Sequence, residues 1–301
     1  MRRILCLIVL FTPIVAFGQQ SSAPAPAQTE HVRSEMLVST SWLADHLNDP
    51  NVVVLHVTDS QSDYQRGHIP GARFLNMGKI AINNGPIHVE LPSVEVLQQT
   101  FSELGVGDNT RVVLYATNWF PDAARAYYTL DYLGHGNNAA LLDGGIEEWL
   151  AEQRPVTSDV PKFSSATFTA HVHENVCALI AEVKNDADAK PGEGAEQIVD
   201  SRPGGRYQAG HLSGAANVYW MDTLVNEDHP VFLSPEKLRA LYASRGIVPG
   251  KKIVTYCEVG LQASHGYFLA KYLGYDAAMY DGSYQEWSSK NLPVVKGDAK
   301  R

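Results

Sequence analysis

The sequence is poor in cysteine and in positive charge. It has 301 residues, three of which are cysteine, and its formal net charge at pH 7 is −9. So few cysteines exclude a disulfide-rich scaffold, and an acidic chain lacks the basic face that non-specific nucleic-acid binding needs. Hydrophobic residues make up 45% and charged residues 19%, which is typical of a globular protein long enough for two domains. We therefore expect a folded protein with no nucleic-acid partner.

The sequence also lacks the motifs of metal, nucleotide and flavin sites. His171 and His173 alternate in "HVHENVC", but no further cluster of metal-ligating residues follows at the spacing that a metal site requires. The stretches "GVGDN" and "GGIEEW" are turn sequences and not phosphate-binding loops. We expect neither a metal nor a cofactor.

A long apolar run is found only at the N-terminus. Basic "MRR" precedes "ILCLIVLFTPIVAF", and the small residues Ala16 and Gly18 mark a plausible cleavage site. This order is typical of a secretory signal peptide over residues 1–18; an uncleaved membrane anchor is the alternative. Residues 19–32 form a Ser/Ala/Pro-rich flexible linker. The pattern predicts an exported protein, periplasmic or secreted, with no membrane span after signal removal.

Signal removal would take away Cys6 and leave Cys177 and Cys257. Exported proteins usually use cysteine in disulfides, so a single bridge between the two is one possibility. Their local contexts differ, however, since Cys177 lies near the start of an amphipathic helix and Cys257 follows a strand. We interpret Cys177 as a packed hydrophobic residue, the commonest role of a free cysteine.

Three landmarks occur twice along the chain in the same order, which indicates a duplicated domain. The first copy covers residues 33–158 and the second 172–298, joined by an interdomain linker at 159–171. The matching pairs are "RGHIPGARFLN" with "AGHLSGAANVY", "LGVGDNTRVVLY" with "RGIVPGKKIVTY", and "LLDGGIEEWLAEQRPV" with "MYDGSYQEWSSKNLPV".

Strands and helices alternate within the second copy. The strands are predicted at "EQIVDSR", "KKIVTYC" and "AAMYDG", and the helices at "SPEKLRALYASRG", "QASHGYFLAKYLGY" and "SYQEWSSKN". This alternation predicts an α/β fold, with an open parallel sheet and helices on both faces in each domain. In such sheets ligands bind at the carboxyl ends of strands, which is where Cys257 stands in "IVTYCEVGLQASH".

The position of Cys257 favours a reactive thiol. At a helix N-terminus the free N–H groups and the helix dipole stabilise an anion, so we expect the pKa of the thiol to fall. The loop "EVGLQA" can direct several N–H groups at the sulfur, and Gly260 permits the backbone angles this requires. Such a thiolate can take a sulfane sulfur as a persulfide and pass it to an acceptor. The alternative is a buried strand-end residue without chemistry.

The motifs "VDSRPGGRY", "GHLSGA", "YCEVGLQAS" and "YDGSYQEW" resemble those of the two-domain rhodanese-type sulfurtransferases, which include thiosulfate and 3-mercaptopyruvate sulfurtransferases. The resemblance covers nearly all of the mature chain. It implies two tandem rhodanese-like domains, an inactive one followed by a catalytic one, with Cys257 as the persulfide-forming nucleophile. It also implies that Arg206 holds the anionic group of the donor. The active-loop backbone amides would be those of Glu258, Val259, Gly260, Leu261, Gln262 and Ala263.

The implied partners are a small-molecule anionic sulfur donor and a thiol or cyanide acceptor; the sequence makes no prediction of the oligomeric state. Arg202 is a weaker donor-binding candidate, because it stands beside Asp200 and more readily forms a structural ion pair. His68 and His211, in the repeated "GH" turns, are expected to be structural. Trp149 and Trp287, which are also repeated, are expected in the core.

The first copy has no thiol at the matching position. Aligning Tyr115 with Tyr256 places Ala116 opposite Cys257, and the loop reads "ATNWFPDAAR". This copy cannot form a persulfide and is expected to close the cleft over the active loop. Its Trp119 and Phe120 either line that cleft or serve in packing.

The active loop departs from the family pattern at Glu258 and Val259. Thiosulfate-specific relatives carry basic residues there and mercaptopyruvate enzymes a Gly-Ser-Gly-type loop, so the donor stays open between thiosulfate-like and mercaptopyruvate-like anions. No arginine stands at the sixth position after Cys257, which is Ala263, and this argues against phosphatase chemistry. The competing hypothesis is a non-turnover sulfur carrier or redox-sensing binding module that uses the same cysteine.

Overall fold

The structure is a computed structural model that describes residues 31–117, 120–189 and 195–298. The predicted signal peptide, residues 1–18, lies outside the described residues, as does nearly all of the 19–32 linker. Within the described part, none of the helices has the length and apolar character needed to cross a membrane.

The first domain is built on a parallel five-stranded sheet of order β1-β7-β6-β2-β3. An antiparallel hairpin, β4–β5, forms a separate two-stranded sheet. The strands are β1 (Leu37–Val38), β2 (Val52–Thr58), β3 (Arg73–Asn76), β4 (Ile82–Asn84), β5 (Ile87–Glu90), β6 (Arg111–Tyr115) and β7 (Ala139–Leu142). The helices are α1 (Thr40–His46), α2 (Gln61–Arg66), α3 (Val94–Glu103), α4 (Phe120–Tyr132) and α5 (Gly145–Ala151).

The second domain repeats this plan with a parallel four-stranded sheet of order β11-β10-β8-β9. A single parallel β-bridge, formed by the backbones of Cys177 and Met279, takes the place that β1 has in the first domain. The strands are β8 (Gln197–Asp200), β9 (Ala216–Asn217), β10 (Ile253–Tyr256) and β11 (Ala277–Met279). The helices are α6 (Ile180–Asp188), α7 (Gly204–Ala209), α8 (Pro235–Ser244), α9 (Leu261–Tyr272) and α10 (Ser283–Ser289). The predicted α/β fold with parallel sheets is confirmed.

Apolar runs become central strands because both faces of each sheet are covered by helices. In β2, Val53, Leu55 and Val57 face one core and Val54 faces the other. Helix α8 begins where the sequence indicates, since Ser234 accepts a hydrogen bond from the Lys237 amide and a proline follows at the first helical position.

The repeated histidines and tryptophans have the structural roles expected of them. His68 and His211 are fully buried, and each donates from Nδ1 to the carbonyl four residues earlier, at 2.8 and 2.9 Å. Trp149 and Trp287 donate from Nε1 to the proline carbonyl six residues later, also at 2.8 and 2.9 Å. Each copy therefore closes its own core with the same side chains.

The two domains are joined through α4 and α9, and their apolar residues form one continuous cluster. Tyr127 meets Phe268 edge to face, with the ring centroids 4.9 Å apart. Beside this contact, Lys271 of α9 pairs with Asp131 of α4 at 3.1 Å. The 159–171 linker lies against the first domain, where Phe168 is buried beside Phe101. The interface brings elements of the first domain close to the carboxyl end of β10.

Candidate active site

Cys257 stands at the carboxyl end of β10, and α9 begins four residues later with Gly260 as its N-cap. The Gly260 amide donates to Cys257 Sγ at 3.1 Å. The amides of Val259 and Ala263 also act on this sulfur, since each lowers the pKa of the thiol. These are three of the six amides that the sequence suggests. Those of Glu258, Leu261 and Gln262 make no bond to the sulfur.

The thiol is nevertheless closed off from solvent. Cys257 is 1% exposed. Burial raises the pKa of Cys257, the three amides act in the opposite direction, and the nearby Asp200 carboxylate raises it further. The expected lowering of the pKa is therefore wrong for this conformation, because the cost of removing the thiolate from water exceeds the stabilisation that the loop supplies.

The start of α10 supports the backbone of the active loop. Ser283 Oγ accepts a hydrogen bond from the Cys257 amide at 3.2 Å. The amides of Tyr284 and Gln285 donate to the carbonyls of Cys257 and Glu258, both at 3.0 Å. Sequence reasoning used "YDGSYQEW" as a landmark and missed this role. The juxtaposition of two strand ends in the parallel sheet could have indicated it.

Arg202 is buried, and other groups of the protein bind its guanidinium. Its guanidinium pairs with Asp200 at 2.7 Å and donates to the Gly210 carbonyl at the same distance. This agrees with the structural ion-pair interpretation. The third nitrogen, Nη1, lies 3.3 Å from the Glu258 carboxylate. Part of the negative charge that Glu258 brings to the active loop is thus compensated.

Arg206 has a different environment from Arg202. It lies on α7, its side chain is exposed, and its guanidinium has no hydrogen-bond or ion-pair partner among the described residues. Helix α7 follows β8, whose last residue, Asp200, is in register with Tyr256 of β10. Arg206 and Cys257 therefore follow neighbouring strands at the same edge of the sheet.

The rhodanese-like domain matches the chain twice, over residues 39–152 and 183–290. The chain belongs to the rhodanese family. It is 34% identical over 289 residues to the sulfur carrier protein TtuD of Thermus thermophilus, covering 89% of this chain and 99% of that protein. It is 30% identical over 298 residues to a thiosulfate sulfurtransferase of Corynebacterium glutamicum, covering 91% and 95%. The structure of the 3-mercaptopyruvate sulfurtransferase SseA of Escherichia coli superposes with a TM-score of 0.73 at 26% identity, covering 83% and 98%.

These relatives and the two matched domains establish a rhodanese-type sulfurtransferase that acts on small-molecule sulfur substrates. In the described part of this rhodanese, Cys177 and Cys257 are both free, so the possible disulfide between them is not formed. Cys177 is half-buried, with Tyr128 Oη 3.0 Å from its sulfur. It packs against α4 of the first domain, which agrees with its interpretation as a packed residue.

A cavity of about 440 Å³ lies between the domains, and Ala116 of the first rhodanese domain is at its wall. Phe120 lines this cavity, whereas Trp119 lies outside the described residues. The cavity is lined by Ala116, Phe120, Glu147, Trp220, Met221, Leu224, Glu227, Asp228 and Pro230. Its described charged groups are all carboxylates, which repel an anionic sulfur donor. The negative charge of this cavity and the lack of a thiol at Ala116 are both unsuited to persulfide chemistry.

Substituting Gly260 with alanine is expected to impair the active loop. Gly260 has φ of 96°, and an added Cβ would lie 2.7 Å from Asp281 Oδ1. The loop must therefore move, and its amide would leave the sulfur. We expect Gly260→Ala to lower kcat/KM for sulfur transfer by at least about tenfold, as for loss of one preorganised donor.

The matched control is Gly250→Ala, since Gly250 has φ of 78° but open space around its Cβ position. It carries the same kind of backbone strain, about 1 kcal/mol, without the contact. Steady-state kinetics and thermal unfolding of both variants make the comparison. Equal loss of activity in the two would contradict the assigned role of Gly260.

Proposed function

We propose that this rhodanese transfers sulfane sulfur through a persulfide on Cys257, from a small anionic donor to a thiol or cyanide. The observation that carries the proposal is the contact of the sulfur with the amides of Val259, Gly260 and Ala263 at the N-terminus of α9. Ala116 occupies the matching position in the first domain, so the second domain is the catalytic one.

The reaction comprises two displacements. The Cys257 thiolate attacks the outer sulfur of thiosulfate, the S–S bond of the donor breaks, and sulfite leaves with the electron pair. An acceptor thiolate or cyanide then attacks the outer sulfur of the persulfide, and the Cys257 thiolate is the leaving group. Loop amides stabilise the negative charge in both steps without a side-chain base.

The closed environment of Cys257 requires the site to open before a donor can react. The hairpin β4–β5 of the first domain reaches the active side of the second, where the His88 amide donates to Gln285 Oε1 at 2.9 Å. Gln285 in turn donates through its backbone to the active loop. This exposed contact supports the hairpin as the element that moves, since among the described residues its direct hydrogen bond to the second domain goes to a surface side chain.

The charges around the loop support an anionic donor. The Glu258 carboxylate would repel such a donor, but Arg202 lies within ion-pair distance of it. At this sheet edge, the guanidinium of Arg206 is exposed and has no partner among the described residues. A forked guanidinium is well suited to a sulfonate or carboxylate group.

Incubation with thiosulfate is expected to add the mass of one sulfur atom to the protein, removable by cyanide. Cys257→Ser should show no gain. Cys177→Ser is the matched control, because it removes the other described thiol and should gain sulfur as the wild type does. Intact mass spectrometry measures both. Sulfur uptake by Cys257→Ser, or its loss in Cys177→Ser, would place the persulfide elsewhere.

A sulfur carrier is the second candidate function. Its support is the likeness to the Thermus thermophilus sulfur carrier protein and the enclosure of the thiol, which would protect a stored persulfide. The same assay separates the two functions when cyanide and thiosulfate are both in excess. An enzyme produces many equivalents of thiocyanate per protein, and a carrier produces at most one.

Arg206→Ala is expected to raise KM for thiosulfate by about tenfold, the effect of losing a charge-assisted hydrogen bond. The rate of persulfide release to the acceptor should not change. Arg66→Ala provides a matched control, because Arg66 is an exposed arginine on α2 of the inactive domain. If the two variants have the same KM, Arg206 does not bind the donor.

The proposed location is outside the cytoplasm, periplasmic or secreted, on the strength of the signal-peptide pattern in residues 1–18. Cleavage after Gly18 would leave a chain that begins at Gln19 and lacks Cys6. Cell fractionation followed by intact mass measurement is expected to find this form in the exported fraction. Full-length protein confined to the cytoplasm would refute the proposal.

A further inference from the structure

Arg125 belongs to α4 of the inactive domain, yet its guanidinium lies directly behind the active loop of the catalytic domain. The side chain is fully buried and pairs with Asp281, with Nη2 3.0 Å from Oδ2 and Nη1 bonded to Oδ1. It also donates to the carbonyl of Val89 in the hairpin β4–β5. One side chain thus connects the hairpin, the domain interface and the segment that precedes α10.

The pair is in contact with the residue that contacts the sulfur. A Cβ on Gly260 would lie 2.7 Å from Asp281 Oδ1 and 3.4 Å from Arg125 Nη1. The Gly260 amide is itself 3.1 Å from Cys257 Sγ. Only one residue therefore separates the ion pair from the thiol.

The other half of the molecule has no such pair. In the repeat, Asp143 corresponds to Asp281 and His265 corresponds to Arg125. His265 is 2.8 Å from Thr223 Oγ1, and Asp143 accepts the Phe232 amide at 3.0 Å. The arginine–aspartate pair thus exists on the side that carries the thiol and not on the side that carries Ala116. Duplication alone does not account for it.

We propose that Arg125 is a positioning residue for sulfur transfer, which holds Asp281 against Gly260 and cancels the charge of that carboxylate beside Cys257. This rests on the proposed function of Cys257. Without Arg125, an unpaired carboxylate would stand behind the loop and disfavour both the thiolate and the persulfide anion. Without Asp281, an unpaired guanidinium would favour them.

The other ionisable groups facing the loop are Asp200, Arg202, Tyr256 and Glu258, with Cys177 and Tyr128 beside Arg125.

The test measures the rate of iodoacetamide labelling at Cys257 against pH, with the labelled site identified by peptide mass. Arg125→Met should raise the midpoint by about one pH unit, and Asp281→Asn should lower it by a similar amount. The double variant should return close to the wild type. Arg125→Lys, which keeps the charge, should keep the midpoint even though a single amine cannot replace the fork.

Lys271→Met is the matched control, because Lys271 belongs to another interdomain ion pair, with Asp131, on the same two helices. It should weaken the interface and lower the melting temperature without moving the midpoint. Shifts of the same sign in Arg125→Met and Asp281→Asn, or midpoints equal to that of Lys271→Met, would overturn the proposal. If Arg125→Met does not fold, the sign of the shift in Asp281→Asn still decides. Labelling requires no sulfur transfer, so a wild type that takes up no sulfur would refute the proposed function and leave this result readable.

Discussion

The chemistry depends on a balance at one atom, between the burial of the Cys257 sulfur and the amides directed at it. Burial favours the neutral thiol, and the backbone amides of Val259, Gly260 and Ala263 favour the thiolate. A persulfide anion is subject to the same two effects. The features around the loop can be understood by what they add to this balance. The start of α10 fixes the loop carbonyls and so leaves the amides free to face the sulfur, and Arg202 compensates the Glu258 charge.

Duplication has produced two halves with the same architecture and different uses. The catalytic half keeps the thiol and the glycine N-cap. The other half carries Ala116 and a cavity whose described charges are carboxylates. The inactive half supplies α4, against which α9 is packed, and the hairpin that reaches Gln285. The active loop is thus supported from behind by the first domain, and this support does not depend on a thiol at Ala116.

Much of the fold was predictable because it follows from local patterns. The apolar strand runs, the Ser-Pro helix start at Ser234 and the repeated turns with His68 and His211 are all features of short sequence segments. The place of Cys257 at a strand end and helix start follows from the same patterns. The direction of its pKa shift does not, because it depends on which groups from both domains exclude water from the sulfur. The contact between Arg125 and Asp281 could not be predicted from the sequence either, since it joins residues 156 positions apart in different domains.

The enclosure of the thiol and its reactivity are compatible if opening and reaction are coupled. A closed site keeps water and stray thiols from a persulfide that has already formed, which prevents its loss between the two displacements. An anionic donor that enters must bring its charge next to the loop amides, and these are already oriented, so no reorganisation is needed after entry. The free energy of opening is therefore required before each displacement, once for the donor and once for the acceptor. The hairpin contact between His88 and Gln285 is a weak, exposed bond, whereas the ion pair between Arg125 and Asp281 is buried and strong. Breaking the bond between His88 and Gln285 would therefore leave the ion pair behind Gly260 in place.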